Sequence, residues 1–413
     1  MGAFEVFAIV ASAIALVFVS WAVFRLTRFP PGTLFVILGA ALSILGSKMP
    51  GALLETVTLA APILLGSILF SCGLKLNLRG IAAYAHSVRL SFITIPITLL
   101  AIGAFSHVFL GFDFRGALLV GAIGASICSF FVFHITDEVN LADGVADGIM
   151  LESSLTEAVV VILALTVYGL SSGVSVVQAF AFGLVFGLLA GIVWVRLMRF
   201  ASDFPHRDAL TLSIVLGIAA LCEVIFPNSG MISAFFFGLA MGNAGLLKAK
   251  AKFEGLLKFQ EDVLMAGGTF FFFYTGLSVS GADSGLVLTG ALLWVIVLVL
   301  RTVSIKFSLE DEGFNFWLAG LAPKGLSAAI IVQMALAGGL GIASKLLSIT
   351  LPMLVLSGIF AGIASSKLEG KKPPRVETVA TSRKWGAVDD DKGTIGHAYD
   401  IEEMKRTING PEE

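Results

Sequence analysis

The chain has 413 residues, of which 57% are hydrophobic and 14% charged, with a formal net charge of −2. Soluble domains carry about 25% charged residues, so this composition belongs to an integral membrane protein. The net charge says nothing about nucleic acid, and no basic stripe suggests such a partner. Cys72, Cys128 and Cys222 lie in apolar stretches without paired spacing, which excludes a disulfide framework or a cysteine metal site.

Apolar runs of roughly 17–25 residues mark membrane spans. About thirteen are predicted, centred near Val17, Leu38, Leu65, Pro96, Gly124, Val159, Phe186, Leu216, Leu239, Phe271, Val295, Ser327 and Leu356. The first, from Phe4 to about Phe24, is too long for a signal-peptide core and has no basic segment before it. It reads as a retained span. The second is short and opens on Pro30 and Pro31.

The fifth predicted span, GALLVGAIGASICSFFVFHI, has small residues at its centre. Gly121, Gly124, Ala125, Ser126 and Ser129 permit close backbone approach and local unwinding. The sixth, within GIMLESSLTEAVVVILAL, carries Glu152 and Glu157. The eighth holds Glu223 in ALCEVIFPNSG, at membrane depth. The tenth contains the run FFFFY at residues 270–274, expected to face lipid or to pack. The twelfth places Pro323, Lys324 and Gly325 inside an apolar stretch. Residues 1–366 therefore form the transmembrane domain. Residues 367–413 change to a charged, aliphatic-poor composition, expected to be mostly disordered.

Loop charges alternate. Arg25, Arg28, Lys75, Arg79, Arg196, Arg199, Arg207, Lys248, Lys250, Lys252, Arg301 and Lys306 fall on the same side as the tail, against Lys48, Arg115 and Lys345 opposite. The positive-inside rule then predicts an external N-terminus and a cytoplasmic tail in a multi-pass protein of the cell (inner) membrane. The acidic loop with Asp137, Glu138, Asp143 and Asp147 is a solvated segment or a cation-attracting vestibule.

An all-α polytopic protein with a broken helix in each half, each near an ionisable residue, fits an inverted-repeat secondary transporter. No phosphate-gripping GxxxxGK[ST] loop or nucleophile elbow is present, so the reading is a gradient-driven transporter that is not an enzyme and needs no cofactor. On the sixth span, Ser153 and Glu157 are four residues apart and share a face, as do Glu152 and Thr156. Glu157 is assigned to the cavity, with sodium or potassium held by Glu157 and Ser153. Carbonyls freed in the fifth-span break would complete the oxygen shell. A desolvated carboxylate that holds either a proton or a cation is the simplest antiport device. Glu152 is either a ligand or a brace paired with Lys324 or Thr156. Lys324 balances charge at the crossing, as a partner for one of the glutamates or as a second proton carrier. Glu223 is a possible site residue or a packing acid, and His134 an interfacial residue or a pH sensor.

The run GIMLESSLTEAVVVILAL resembles the GESLLNDATAIVLF motif of the sodium/proton exchanger superfamily of cation/proton antiporters. SGMISAFFFGLAMGN, FFFFYTGLSVS, LAPKGLSAAI and FSCGLKLNLRGI resemble further spans of that family. The match runs from about the second span to the thirteenth. The resemblance implies a homodimeric antiporter of monovalent cations and protons, with a scaffold domain and a moving core. By that match, Glu157 is the ion and proton carrier, Thr156 stands at the Asn of the Asn-Asp pair, Glu152 and Ser153 at the preceding Glu-Ser, and Lys324 at the membrane arginine. Ile127, Cys128 and Ser129 replace the fifth-span Thr-Asp-Pro, so a side-chain ligand and an acid are missing. Lys75 replaces a third-span Glu and removes an ion-pair partner for the membrane base. With one carboxylate in place of two, the expected exchange is electroneutral. Potassium selectivity is the nearest alternative. A proton-coupled organic-anion symporter and a non-transporting sensor using the tail are the rivals from other classes.

Overall fold

The computed structural model describes residues 29–45, 51–76, 85–139, 143–169, 175–198, 206–247, 254–307, 312–368, 386–388 and 395–397, with isolated positions among residues 15–22 and Leu78. The first predicted span and most of the tail fall outside the described residues. Within residues 386–397, Gly386–Val388 and Ile395–His397 pair as a short antiparallel ribbon.

Among the described residues there are fourteen α-helices: α1 Pro31–Ile44, α2 Gly51–Lys75, α3 Ala85–Leu110, α4 Phe114–Ala125, α5 Ser129–Val139, α6 Asp143–Gly169, α7 Val176–Leu197, α8 Arg207–Ile225, α9 Gly230–Gly242, α10 Glu254–Leu277, α11 Ser284–Lys306, α12 Glu312–Gly320, α13 Leu326–Ala337 and α14 Ala343–Leu368. Among the described residues, nine stretches are long and apolar enough to cross a membrane, and α1, α9 and α13 are shorter apolar helices. With the first predicted span, these account for the thirteen read from the sequence. The outer faces of α7 and α11 carry aliphatics in the open, such as Val177 at 77% and Leu288 at 78% exposure, as a lipid-facing surface requires.

Without a hydrophobic driving force between helices in lipid, close packing relies on small residues. A Cβ at Gly39 would sit 2.2 Å from the Phe273 carbonyl oxygen, and one at Gly276 would sit 2.1 Å from that of Val36, so α1 and α10 touch backbone to backbone. Gly73 and Gly238 do the same between α2 and α9. The phenylalanine-rich run serves as packing surface: Phe271, Phe272 and Tyr274 are buried, and Phe272 stacks on Phe131 of α5.

Two spans are interrupted. α4, N-capped by Asp113 through the Gly116 N–H at 3.0 Å, stops at Ala125; residues 126–128 are extended before α5 begins. α12 stops at Gly320, and residues 321–325 run non-helically to α13. Pro323 cannot donate to a helical ladder and disfavours a helical residue before it. The breaks cross, one backbone bond joins them, and α14 satisfies a further N–H. The Cys128 N–H donates to the Pro323 carbonyl at 3.0 Å, and the Lys324 N–H donates to Ser357 Oγ at 2.9 Å. A Cβ on Gly325 would lie 2.4 Å from that of Cys128, so only glycine permits this approach.

Candidate functional site

Helix α6 runs past the crossing and presents Glu157 to it, 1% exposed. Its carboxylate accepts three hydrogen bonds: from the Ser129 N–H at 2.9 Å and the Ser129 hydroxyl at 2.6 Å, both to Oε2, and from the Ser327 hydroxyl at 3.0 Å to Oε1. Ser129 opens α5 and Ser327 is the second residue of α13. The carboxylate therefore lies at the N-terminal ends of two half-helices, where unpaired N–H groups and the helix dipole favour negative charge. Among the described residues Glu157 forms no ion pair.

The other buried acid is held differently. Arg301 of α11 donates Nη1 to Glu152 Oε1 at 2.7 Å and Nη2 to Oε2 at 2.9 Å, both side chains buried. Arg301 was grouped by sequence with the loop charges. It is instead a membrane-buried base, and Glu152 braces α6 through it rather than through Lys324 or Thr156.

Lys324 also departs from expectation. Its ammonium forms no ion pair with either glutamate; Nζ donates to the carbonyl oxygens of Gly124 and of Ser126, the latter at 2.7 Å. These carbonyls, at the C-terminal end of α4, are the ones assigned by sequence to a cation's shell. A tethered ammonium occupies them, as a helix C-terminus favours. A cavity of about 20 Å³, room for a water, lies between Lys324 and Arg301 and is bordered by Trp294 and Phe360.

The remaining candidates separate. The Ser153 hydroxyl donates to the Met150 carbonyl at 2.9 Å in its own helix rather than to Glu157. Thr156 Oγ1 is buried without a hydrogen-bond partner among the described residues. Ile127 is buried among apolar side chains. Cys128 contributes its backbone and the close contact with Gly325. Ser129, expected as a small residue of the break and a possible site residue, donates two of the three hydrogen bonds to Glu157. Glu223 lies apart from the crossing: exposed, it accepts from the Asn228 and Gly230 N–H groups at 2.8 and 3.0 Å and caps the start of α9. His134 Nδ1 lies 3.0 Å from the Phe130 carbonyl. The acidic side chains at 137, 138 and 143 fall outside the described set.

The family description "Sodium/hydrogen exchanger, transmembrane" matches residues 13–368. The chain belongs to that family. It is 24% identical over 305 residues to a K(+)/H(+) antiporter NhaP of Alkalimonas amylolytica, a match covering 68% of this chain and about half (51%) of that protein. The fold of this exchanger-family chain is similar to the sodium proton antiporter MjNhaP1 from Methanocaldococcus jannaschii at pH 8, with a TM-score of 0.76 at 18% identity, covering 88% of this chain and 100% of that one. An electron-microscopy structure of MjNhaP1 gives 0.73 at 19% identity, covering 91% and 100%. The exchanger fold thus brings together Glu157, Ser129, Ser327 and Lys324 at one crossing and places the Glu152–Arg301 pair on the same helix α6.

Two participants escaped the sequence reading. Ser327 sits in LSAAI, where a small residue reads as packing. Arg301 lies five residues before Lys306, where a charge looks like the end of a span.

Proposed function

We propose that this chain exchanges a monovalent cation, sodium or potassium, for protons across the cell membrane, with Glu157 carrying either one. The observation that carries this reading is the Glu157 carboxylate, buried and without an ion-pair partner, held at two half-helix N-termini by Ser129 and Ser327. Serine hydroxyls donate and accept. They donate to the bare carboxylate, and on cation arrival they rotate so that their oxygens join it as ligands. Protonation of Glu157 removes the charge that holds the cation, so one site serves both ions in alternation. Lys324 and the Glu152–Arg301 pair fix the crossing. With a single exchangeable carboxylate the exchange is one for one and electroneutral. Alternating access moves the broken-helix core against the remaining helices. The chain works as a homodimer, its N-terminus outside and its tail in the cytoplasm.

Potassium is the second reading of the ion. At the first break Ile127 and Cys128 offer no oxygen side chain, which favours a looser site for a larger ion. The relatives' names divide between potassium and sodium.

The test reconstitutes purified protein into liposomes loaded with a pH dye and adds sodium, lithium or potassium outside. Cation-driven proton movement supports the reading and names the ion. No proton movement with any of the three, at any pH between about 6 and 9, would contradict it.

A further inference from the structure

The face of α2 that meets α10 carries an unusual run of polar groups. Ser67, Ser71 and Lys75 recur every four residues and so share one side of the helix. Ser67 Oγ, Ser71 Oγ and Lys75 Nζ are buried and lack a hydrogen-bond partner among the described residues, as does Oε1 of Gln260 on α10. Gln260 belongs to this seam, since its Nε2 donates to the Ser67 carbonyl at 2.8 Å.

At one end of the seam, Lys75 Nζ stands 3.9 Å from Glu261 Oε1, with side chains 6% and 16% exposed. The ammonium also lies 5.1 Å from the ring centre of Phe133 on α5. Phe133 is one turn along from Ser129, and Cys72 Sγ lies 3.8 Å from the Ser129 hydroxyl. The seam therefore adjoins the Glu157 site, and its partly open member is Glu261, near the start of α10.

Four buried polar groups, one of them an ammonium, are unfavourable without hydrogen-bond partners, and water bridging two to four such groups is the usual remedy. We propose that the α2–α10 seam is a water-lined route by which a monovalent cation and protons reach Glu157 from the membrane face where α2 ends and α10 begins, and that the Lys75–Glu261 pair is its gate. This rests on the exchange reading above. The pair suits a gate because it is loose: at 3.9 Å it is a charge contact without a hydrogen bond, and the cation–π contact is the second hold on the ammonium. An incoming cation drawn to Glu261 weakens its hold on Lys75, and the displaced ammonium opens the way.

The experiment labels Ser67→Cys and Ser71→Cys variants of the full chain in liposomes with a water-soluble methanethiosulfonate. Labelling is read as mass gained above the parent protein, whose three native cysteines set the background. Thr350→Cys is the control, because Thr350 is fully buried and already donates to the Leu346 carbonyl at 2.7 Å. Each variant must elute as the parent does and unfold at a similar temperature. Labelling at Ser67→Cys and Ser71→Cys several-fold faster than at the control, and faster again when Glu261→Gln is added, supports the route and its gate. Rates equal to the control overturn the route. Fast labelling that ignores Glu261→Gln overturns the gate. Labelling requires no turnover, so a protein that labels as described yet moves no protons contradicts the exchange reading while the seam stands.

Discussion

Arg301 and Glu152 face each other across α11 and α6 with two parallel charge-assisted hydrogen bonds of 2.7 and 2.9 Å. Such fork-to-fork pairing fixes orientation as well as charge. It neutralises one of the two buried glutamates on α6, and Glu157 forms no ion pair among the described residues. Removing one member strands a buried charge, at about 3–5 kcal/mol. Arg301→Met or Glu152→Met is therefore expected to lower the melting temperature of the purified protein strongly. The Arg301→Met/Glu152→Met double variant should recover much of that loss, and a double-mutant cycle by thermal unfolding in detergent measures the coupling. Additive losses would mean the pair contributes nothing beyond its packing.

Ser129 and Ser327 donate hydroxyls to the same carboxylate from opposite half-helices. A hydrogen bond to a charged group contributes about 1.5–3 kcal/mol, and 1.4 kcal/mol is a factor of about ten in binding. Ser129→Ala and Ser327→Ala are each expected to raise the KM for the cation roughly tenfold or more. Ser129→Ala retains the backbone N–H bond to Glu157 and should keep measurable exchange. Initial rates over a cation titration check this.

The contact of Gly325 with Cys128 gives a steric prediction. Gly325→Ala places a Cβ where the Cys128 Cβ already sits, and overpacking typically destabilises by about 1–3 kcal/mol. Exchange should fall sharply. Cys128→Ala should not rescue it, because the nearest offending atom is the Cβ itself, whereas Cys128→Gly should restore it only in part, since the Cys128 Cα would still lie 2.9 Å away. Exchange rates of the three combinations decide the matter.

Competition at one carboxylate fixes the sign of the pH dependence. On the proposed mechanism protons and the cation occupy Glu157 in turn, so the apparent KM for the cation should rise as pH falls, with the maximal rate recovered at saturating cation. One-for-one exchange also transfers no net charge, although moving a single charge through 100 mV is worth about 2.3 kcal/mol. Clamping the liposomes at different potentials should leave the rate unchanged. A rate that tracks potential would make the exchange electrogenic and would implicate Lys324 as a second proton carrier.

Much of the site can be read from local sequence. Two acids inside an apolar run, glycine and small residues at Gly121–Ser126, and a Pro-Lys-Gly interruption at residues 323–325 each break a helical expectation in a way that demands a structural reason. What the sequence hides is pairing between distant segments. Periodicity places Glu152 on a helix face but does not say that Arg301, 149 residues later, meets it. Ser153 shares a face with Glu157, yet its hydroxyl turns back to its own backbone, an option every helical serine has. The carbonyls of the first break looked free for a cation because the reach of the Lys324 side chain is invisible until the two breaks cross. Glu223 looked intramembrane by hydropathy, but a following Pro-Asn-Ser-Gly turn makes it a helix-capping acid.

The most direct test compares the parent protein with Glu157→Gln in the same liposome assay, with the thermal transition of each recorded beforehand. Glutamine keeps the shape and an acceptor oxygen for Ser129 and Ser327 but cannot exchange a proton for a cation. The account predicts a folded protein in which cation-driven proton movement is abolished. Full exchange by Glu157→Gln would contradict it and move the carrier to another group.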